Sequence, residues 1–344
     1  MKPGLWEYLV KRILLAAVTL VLILLTSYVL LRVAPGDPVK SSMIGSGGAG
    51  ATGLSSDKPE LTENEVMKKK LNFDKPILTG FVLWMKDVCR GDFGTSVSFD
   101  KGRPVTDLIL ERLPVTLRLN ICAILLVYLL AIPIGLFSGV FPEGKFDKVT
   151  TVVLFFLFSM PVLWVALSLQ ALVCKGGAFP IFPVKGLEPA TTYGLSTWRI
   201  VWETLLHYIL PVLCMSYAGF AGLSRFTRSA MIDTLRQEYI RTARAKGVSE
   251  FDIVFSHAFR NILVIMVTLL AGLLPGLISG SLLIEYIFAI PGMGDLSMRA
   301  LSSRDIPLIM ALFSFSGFLT LLGFLISDIL YVFVDPRISF RSRI

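Results

Sequence analysis

Six long apolar stretches limit what this chain of 344 residues can fold into. A helix needs about 20 consecutive apolar residues to cross the hydrocarbon core of a bilayer. Only 17% of the residues are charged, whereas a soluble domain carries about 25% and uses them to cover its surface. The chain is therefore predicted to be an all-α membrane protein with six transmembrane helices. The predicted spans are 13–33, 117–140, 149–173, 204–223, 262–287 and 308–334.

The first stretch, 13–33, could be mistaken for a secretory signal. It is too long for the apolar region of a signal peptide, no small-x-small cleavage site follows it, and further spans come after it. We expect an uncleaved membrane anchor.

Basic residues indicate the orientation of the chain, because Lys and Arg accumulate in cytoplasmic segments. An even number of spans places residues 1–12, 141–148, 224–261 and 335–344 on one side of the membrane. These segments hold 15 Lys or Arg and 8 Asp or Glu residues, a balance of +7 out of the net charge of +8. Both termini are predicted to be cytoplasmic, and the basic excess indicates orientation and not binding to nucleic acid.

The segment 34–115, on the opposite side, is expected to hold a flexible linker and a small ordered cap. Residues 41–56 are rich in Gly and Ser, as flexible linkers are. Thr62-x-x-Glu65 is a capping box that predicts a helix, and Phe81, Trp84 and Phe93 are expected apolar anchors. The chain is therefore predicted to have three parts. They are the N-terminal segment with the first span (1–33), the periplasmic linker and cap (34–115), and a core (116–344) that contains a cytoplasmic loop at 225–261.

Motifs for catalysis and metal binding are missing from the sequence. The stretch from Gly139 to Lys145 matches a phosphate-binding loop, but Phe146 stands where Ser or Thr must bind magnesium, and no strand precedes it. Four Cys and two His residues form no zinc-site spacing. We expect no catalytic residue, metal or cofactor in this chain.

Ionisable side chains inside the spans are few: Glu285, Asp328, and Arg118 near a span end. Such residues are functional candidates by default. Each has two interpretations, a direct role in transport or helix–helix hydrogen bonding and anchoring. They do not form the chain of carboxylates and bases typical of a proton-coupled transporter.

The fifth predicted span contains Gly272, Gly276 and Gly280, spaced four apart on one helix face. Small residues at this spacing let another helix approach closely. Pro275 lies in the same span and should bend it. The pattern predicts a helix that packs closely or lines a moving pathway.

A helix–Gly–helix element, called the elbow (residues 237–261), follows the fourth span. The first helix should end at Gly247, and Ser249-x-x-Asp252 can start a second. An apolar stripe at helical spacing follows on the second helix. The stripe could pack on the chain's own bundle or dock on another protein, and spacing alone favours neither. Its members are Phe251, Val254, Phe255, Ala258 and Phe259.

The elbow resembles the coupling loop of permease subunits of ATP-binding-cassette importers, whose signature is EAA-x3-G. Aligned on Gly247, the signature falls on residues 241–243, where Arg241 and Thr242 depart from its general form. The run from Tyr239 to Gly247 is nevertheless typical of the dipeptide/oligopeptide/nickel permease branch. Six further motifs resemble this branch: Arg32–Pro38, Gly91–Gly94, Arg112–Leu117, Ile290–Gly294, Arg304–Pro307 and Asp335–Ile338.

Within that branch the chain is most similar to the YejB-like subgroup, associated with oligopeptide and microcin C uptake. The runs Gly47–Leu54 and Gly280–Glu285 carry this resemblance, and Ile265 stands where the wider branch usually has proline. The run Ile290–Gly294 is closer to the wider branch.

The resemblance implies the type I importer permease fold in a bacterial inner membrane. It implies a second, homologous permease subunit, two cytoplasmic ATP-binding subunits and an external peptide-binding protein, with ATP hydrolysed by the partners. A nickel or other small-solute permease is the alternative, and a secondary transporter is a weaker one. The pathway or packing residues would be Gly272, Gly276, Gly280 and Glu285. The residues that would meet the ATPase are Tyr239, Arg241, Thr242, Ala243, Ala245, Gly247, Phe251 and Phe255.

Overall fold

A computed structural model describes residues 3–33, 75–187, 194, 196–273, 275–279 and 281–334. Its helices include five that are long and apolar enough to cross a membrane, and a bent helix pair that would make a sixth span. Leu125, Leu129 and Val152 expose more than half of their surface on the outside of the bundle, as expected for lipid-facing side chains. The prediction of an all-α membrane protein is confirmed.

The helices of the described segments are named here in chain order. They are α1 (Pro3–Val33), α2 (Ile77–Cys89), α3 (Val105–Val140), α4 (Lys145–Ser159), α5 (Val162–Val173), α6 (Thr197–Leu235), α7 (Glu238–Ala245), α8 (Glu250–Leu273), α9 (Gly276–Ser279), α10 (Leu282–Ile287), α11 (Met293–Ser303) and α12 (Ile306–Val334).

Several predictions fall outside the described residues. They are the linker 41–56, the capping box of Thr62 and Glu65, the run 47–54, Gly280 and the motif 335–338.

The third predicted span, 149–173, is not one helix. It consists of α4 and α5, which meet at an angle of 97°. Pro161 disfavours helical geometry in the residue before it, and Met160 is extended, with ψ 130°. The Tyr217 hydroxyl donates a hydrogen bond of 2.7 Å to the Met160 carbonyl and so satisfies a group that the bend releases.

The fifth predicted span, 262–287, is also wrong as a single helix. The helix α8 begins at Glu250, includes a π-helical segment (Ile253–Phe259), and ends at Leu273, before Pro275. Asn120 of α3 donates a 2.5 Å hydrogen bond to the Leu277 carbonyl in the short helix that follows.

The break removes the continuous glycine face that the spacing predicts. Gly272 is exposed, and a Cβ built on Gly276 would meet no described neighbour within 4 Å. Gly280 lies outside the described part of the chain. The role of these glycines in packing or in the pathway stays a prediction.

Close helix packing occurs instead between α3 and α6, at the centre of the bundle. A Cβ on Gly135 would lie 2.4 Å from the Ser224 carbonyl oxygen and 2.5 Å from Thr227 Cβ. A Cβ on Gly139 would lie 2.6 Å from Met231 Cβ. Small residues four apart on α3 therefore bring the two backbones together, as in other membrane helix pairs.

Two ion pairs brace the end of the bundle that carries the elbow. Arg228 of α6 donates to Asp147 of α4 through Nε at 2.6 Å and Nη2 at 2.7 Å. Arg12 of α1 pairs with Asp328 of α12, with Nη2 3.0 Å from Oδ1. Asp328 has two interpretations, a direct role in transport or helix–helix bonding and anchoring. The ion pair with Arg12 is a contact of the second kind.

The opposite end is closed by the ordered cap. Phe81 and Trp84 of α2 are buried against Tyr28 of α1, as the prediction of apolar anchors requires. Phe93 is partly buried on the neighbouring apolar cluster.

A buried carboxylate ties the cap to α12. Asp305 Oδ2 accepts hydrogen bonds from the Ser96 hydroxyl at 2.6 Å and from the backbone N–H groups of Val97, Ser98 and Phe99 at 2.9–3.1 Å. The carboxylate therefore holds the turn 96–99 at the start of the last helix.

Candidate functional site

The first helix of the elbow, α7, ends in a complete Schellman motif. The Val248 N–H donates to the Ala243 carbonyl at 3.2 Å, and the Gly247 N–H donates to the Arg244 carbonyl at 3.0 Å. Gly247 has φ +79°, in the left-handed region that glycine adopts without strain. The predicted end of the helix is confirmed, and the sharp turn depends on this glycine.

The second helix, α8, begins at the predicted cap. The Ser249 hydroxyl accepts a 3.2 Å hydrogen bond from the Asp252 N–H. Arg244 Nε lies 2.8 Å from Glu250 Oε1 and spans the turn between the two helices. This hydrogen bond raises the pKa of Arg244, so its guanidinium stays charged. The pair is exposed, so it adds little stability.

One face of the elbow is packed on the chain's own bundle. Ile240, Ile253 and Ala258 are fully buried, and Val254 is 8% exposed. They form a cluster with Leu136 of α3 and with Met231 of α6. The elbow is therefore carried by the two central helices and cannot swing freely.

The opposite face exposes aromatic rings. Phe251 is 69% exposed, Tyr239 43% and Phe255 41%. The rings of Phe251 and Phe255 lie with their centroids 4.6 Å apart and form one apolar surface. The Asn261 side-chain amide donates to the Tyr239 hydroxyl at 2.8 Å and holds that ring in place. We call the adjoining rings of Phe251 and Phe255 the aromatic face.

The two interpretations of the apolar stripe thus apply to different residues. Val254 and Ala258 pack on the bundle, whereas Phe251 and Phe255 face outward. Six more residues are predicted to meet the ATPase, and they also divide into buried and exposed ones. Among them only Ala243, at 9% exposure, packs against the bundle. The exposed ones are Tyr239, Arg241, Thr242, Ala245 and Gly247.

The spacing of residues did not reveal the Arg244–Glu250 and Asn261–Tyr239 pairs. Both link the two helices across the turn, and a helical pattern carries no signal for such contacts.

Exposed aromatic residues at a polar end of a membrane bundle are typical of a protein–protein contact, because such surface is costly in water.

Glu285, the predicted intramembrane candidate, is fully buried at the opposite end. Its carboxylate accepts hydrogen bonds from the Thr116 hydroxyl at 3.1 Å and the Gly294 N–H at 2.7 Å. It therefore joins α10 to α3 and to the start of α11. Arg118, the third ionisable candidate, is exposed on α3.

Metal binding finds no support in the described segments. They contain no group of three or more His, Cys, Asp or Glu side chains arranged to hold an ion.

Known proteins are similar in sequence to this chain along nearly its whole length. The family model described as binding-protein-dependent transport system inner membrane component matches residues 131–340, and the model for its N-terminal part matches residues 5–120. The chain is 36% identical to the oligopeptide transport system permease protein AppB of Bacillus subtilis, over 97% of this chain and 99% of that protein.

Two other relatives are similar along nearly their whole length. The peptidoglycan transport system permease protein YejB of Agrobacterium fabrum is 32% identical over 98% of this chain and 99% of its own length. The dipeptide transport system permease protein DppB of Lactococcus lactis is 31% identical over 96% of this chain and 99% of its own.

Proposed function

Because the chain belongs to the family of binding-protein-dependent transport system inner membrane components, we propose that it forms half of the transmembrane pathway of an ATP-driven peptide importer. The observation that carries this proposal is the full-length similarity to permease proteins of oligopeptide and dipeptide transport systems. The chain is a multi-pass membrane protein, and its proposed role is to guide peptide and not to hydrolyse ATP.

The elbow end is proposed to face the cytoplasm, with both termini on that side. The segments that the sequence assigns to that side carry most of the net positive charge, which favours the cytoplasmic side. The cap and residues 288–306 would then face outward, toward an external peptide-binding protein. A second, homologous permease subunit would complete the pathway, and 1–33, 34–115 and 116–344 remain the proposed parts of the chain.

The aromatic face is the proposed contact with one of two ATP-binding subunits. Its rings lie on the exposed side of the elbow, and the other side of the elbow is buried against α3 and α6. A displacement of the aromatic face would therefore also displace these two central helices. The helix α8 is continuous from the elbow to Leu273 and would carry the same displacement into the membrane-spanning part of the bundle. Such a two-state element can couple ATP-driven closure to the opening of a pathway.

Peptide is the proposed substrate class. Relatives are named for oligopeptide, dipeptide and peptidoglycan transport, and a YejB protein of Escherichia coli is 32% identical. The alternative of nickel gains no support from His207, whose Nδ1 lies 2.7 Å from the Glu203 carbonyl of its own helix. No contact among the described residues favours a secondary transporter.

Purification of the tagged chain with its native partners tests the proposal. We expect a homologous permease and an ATP-binding subunit to co-purify in mild detergent. In proteoliposomes, ATPase activity should rise when the external binding protein is added with peptide, and not with nickel ion. A chain that purifies alone and transports peptide without ATP would contradict the proposal.

Replacement of Gly247 is expected to uncouple transport. Tryptophan must adopt φ +79° there, which costs about 1–2 kcal/mol for a residue with a Cβ, so the turn should shift and misplace Phe251. Gly247→Asn is the control, since asparagine tolerates this conformation. A Cβ at this position meets no described atom within 4 Å, so both variants should reach the membrane. We expect peptide uptake to fall about tenfold in the Trp variant, following the free-energy change. Equal uptake by both variants would contradict the role of the turn.

A further inference from the structure

The Glu285 carboxylate lies at a junction of three chain segments: α3, α10 with its N-cap Ser281, and the first turn of α11. Its Oε1 accepts from the Thr116 hydroxyl of α3 at 3.1 Å and from the Ser281 N–H at 3.3 Å. Its Oε2 accepts from the N–H groups of Gly294 and Asp295, at 2.7 and 3.4 Å, in the first turn of α11. The residue itself belongs to α10 and is 0% exposed.

The four partners of this carboxyl group are all hydrogen-bond donors. Backbone N–H groups only donate, and the Thr116 hydroxyl donates to Glu285 while it accepts from the Met293 N–H at 2.8 Å. The four donors occupy both oxygens of a buried polar group that would be costly if it were unpaired. The start of α11 adds the favourable end of a helix dipole.

Two glycines leave room for the junction. A Cβ on Gly292 would lie 2.3 Å from Glu285 Oε2 and 2.6 Å from Thr116 Oγ1. A Cβ on Gly294 would lie 2.8 Å from the Ser281 carbonyl oxygen. The run Pro291-Gly-Met-Gly294 is therefore shaped to wrap around this carboxylate.

The junction also holds the loop between α10 and α11. The Ile290 N–H donates to the Glu285 carbonyl at 2.8 Å, and the Gly186 N–H donates to the Phe288 carbonyl at 2.9 Å. Phe288 and Ile290 are buried in one cluster with Leu119 of α3. The apolar cluster with Leu119 and the hydrogen bond from the Met293 N–H to Thr116 thus join this region to α3.

We propose that Glu285 is the positioning residue that fixes the loop 288–292 and the start of α11 on α3, so that these segments move as one body when the outer end of the pathway opens. The inference rests on the proposed function for its consequence in transport, but the junction itself can be measured apart from transport. A loosened junction would let α3 move without carrying the loop, and the signal from the binding protein would not reach the rest of the bundle.

Hydrogen exchange of the complete importer in nanodiscs tests the junction directly. Thr116→Val removes the hydroxyl that links Glu285 to Met293, and Glu285→Gln places an amide NH2 against backbone donors. Because loss of a partner from a buried polar group costs enough to shift an opening equilibrium about tenfold or more, exchange in residues 288–296 should accelerate by at least that factor. Thr116→Ser keeps the hydroxyl and should stay within about twofold of the wild type.

A matched control and a functional measurement complete the test. Thr19→Val on α1 removes a hydroxyl that bonds to the Leu15 carbonyl of its own helix, and it should change nothing at 288–296. The ratio of ATPase activity stimulated by the binding protein to basal activity should fall about fivefold in Thr116→Val and recover in Thr116→Ser.

Unchanged exchange at 288–296 in Thr116→Val would overturn the proposal. So would acceleration spread equally over α3 and α6, which indicates general loss of stability, or an unchanged ATPase ratio despite local acceleration. If no ATPase accompanies the wild-type chain, the proposed function fails, and the exchange of the chain in nanodiscs still decides whether Glu285 holds the loop.

Discussion

Replacing Gly135 with leucine is expected to break the central packing of the bundle and to lower the free energy of unfolding by about 3 kcal/mol. Even the first added carbon would lie 2.4 Å from the Ser224 carbonyl oxygen, and that oxygen belongs to a helix backbone that cannot rotate away. The helices α3 and α6 must therefore separate along the contact that also supports the elbow. The measurement is thermal unfolding of the purified protein in detergent, together with its abundance in the membrane.

Gly222→Leu is the matched control for this variant. Gly222 lies on α6 and is exposed, and a Cβ there would meet no described neighbour within 4 Å. The same substitution should leave the unfolding temperature nearly unchanged. Equal stability of the two leucine variants would contradict the packing of α3 on α6.

The double variant Phe251→Asp, Phe255→Asp is expected to abolish ATP-dependent peptide uptake while the protein stays folded. Both rings are exposed, so two carboxylates in their place cost the isolated chain little. At a docked interface each aromatic residue of this kind contributes about 2 kcal/mol or more, on the order of 30-fold in affinity. The measurements are the amount of ATP-binding subunit that co-purifies and the uptake of labelled peptide.

Phe251→Leu, Phe255→Leu provides the control, because leucine keeps the face apolar. We expect it to retain most of the bound ATPase. Retention of both ATPase and uptake by the aspartate variant would show that the aromatic face is not the contact.

The membrane spans and the elbow follow from local patterns, and for that reason the sequence predicts them well. Apolar runs predict the helices, Gly247 and Ser249 predict the turn, and Phe81 and Trp84 predict the anchors of the cap. Each of these features is decided by residues close together in the chain, where spacing carries the information.

The features that sequence patterns missed depend on distant residues or on competing local effects. Thr116 and Glu285 are 169 positions apart, and Ser96 and Asp305 are 209 apart, so no spacing indicates either pair. The two spans predicted as single helices, 149–173 and 262–287, are each interrupted at a proline. The apolar composition continues through Pro161 and Pro275, whereas the helix does not.

Glycine spacing alone does not tell which helix face packs closely. Gly272 and Gly276 have the expected period, but Gly272 is exposed and a Cβ on Gly276 would meet no described neighbour within 4 Å. The pair Gly135 and Gly139, at the same period, packs backbone against backbone. Which face is used depends on where the partner helix lies, and that is a property of the folded bundle.

Photo-cross-linking from position 251 is the sharpest test of whether the aromatic face is where ATP hydrolysis meets this permease. A photoreactive phenylalanine would be placed at Phe251 in cells that express the whole importer. A second would replace Leu301, which is 48% exposed on α11 at the opposite end. We expect a cross-link from position 251 to a protein that mass spectrometry identifies as an ATP-binding subunit, and none to that subunit from position 301. Capture of the subunit from position 301, or of only lipid and the chain itself from position 251, would show that the ATPase docks elsewhere.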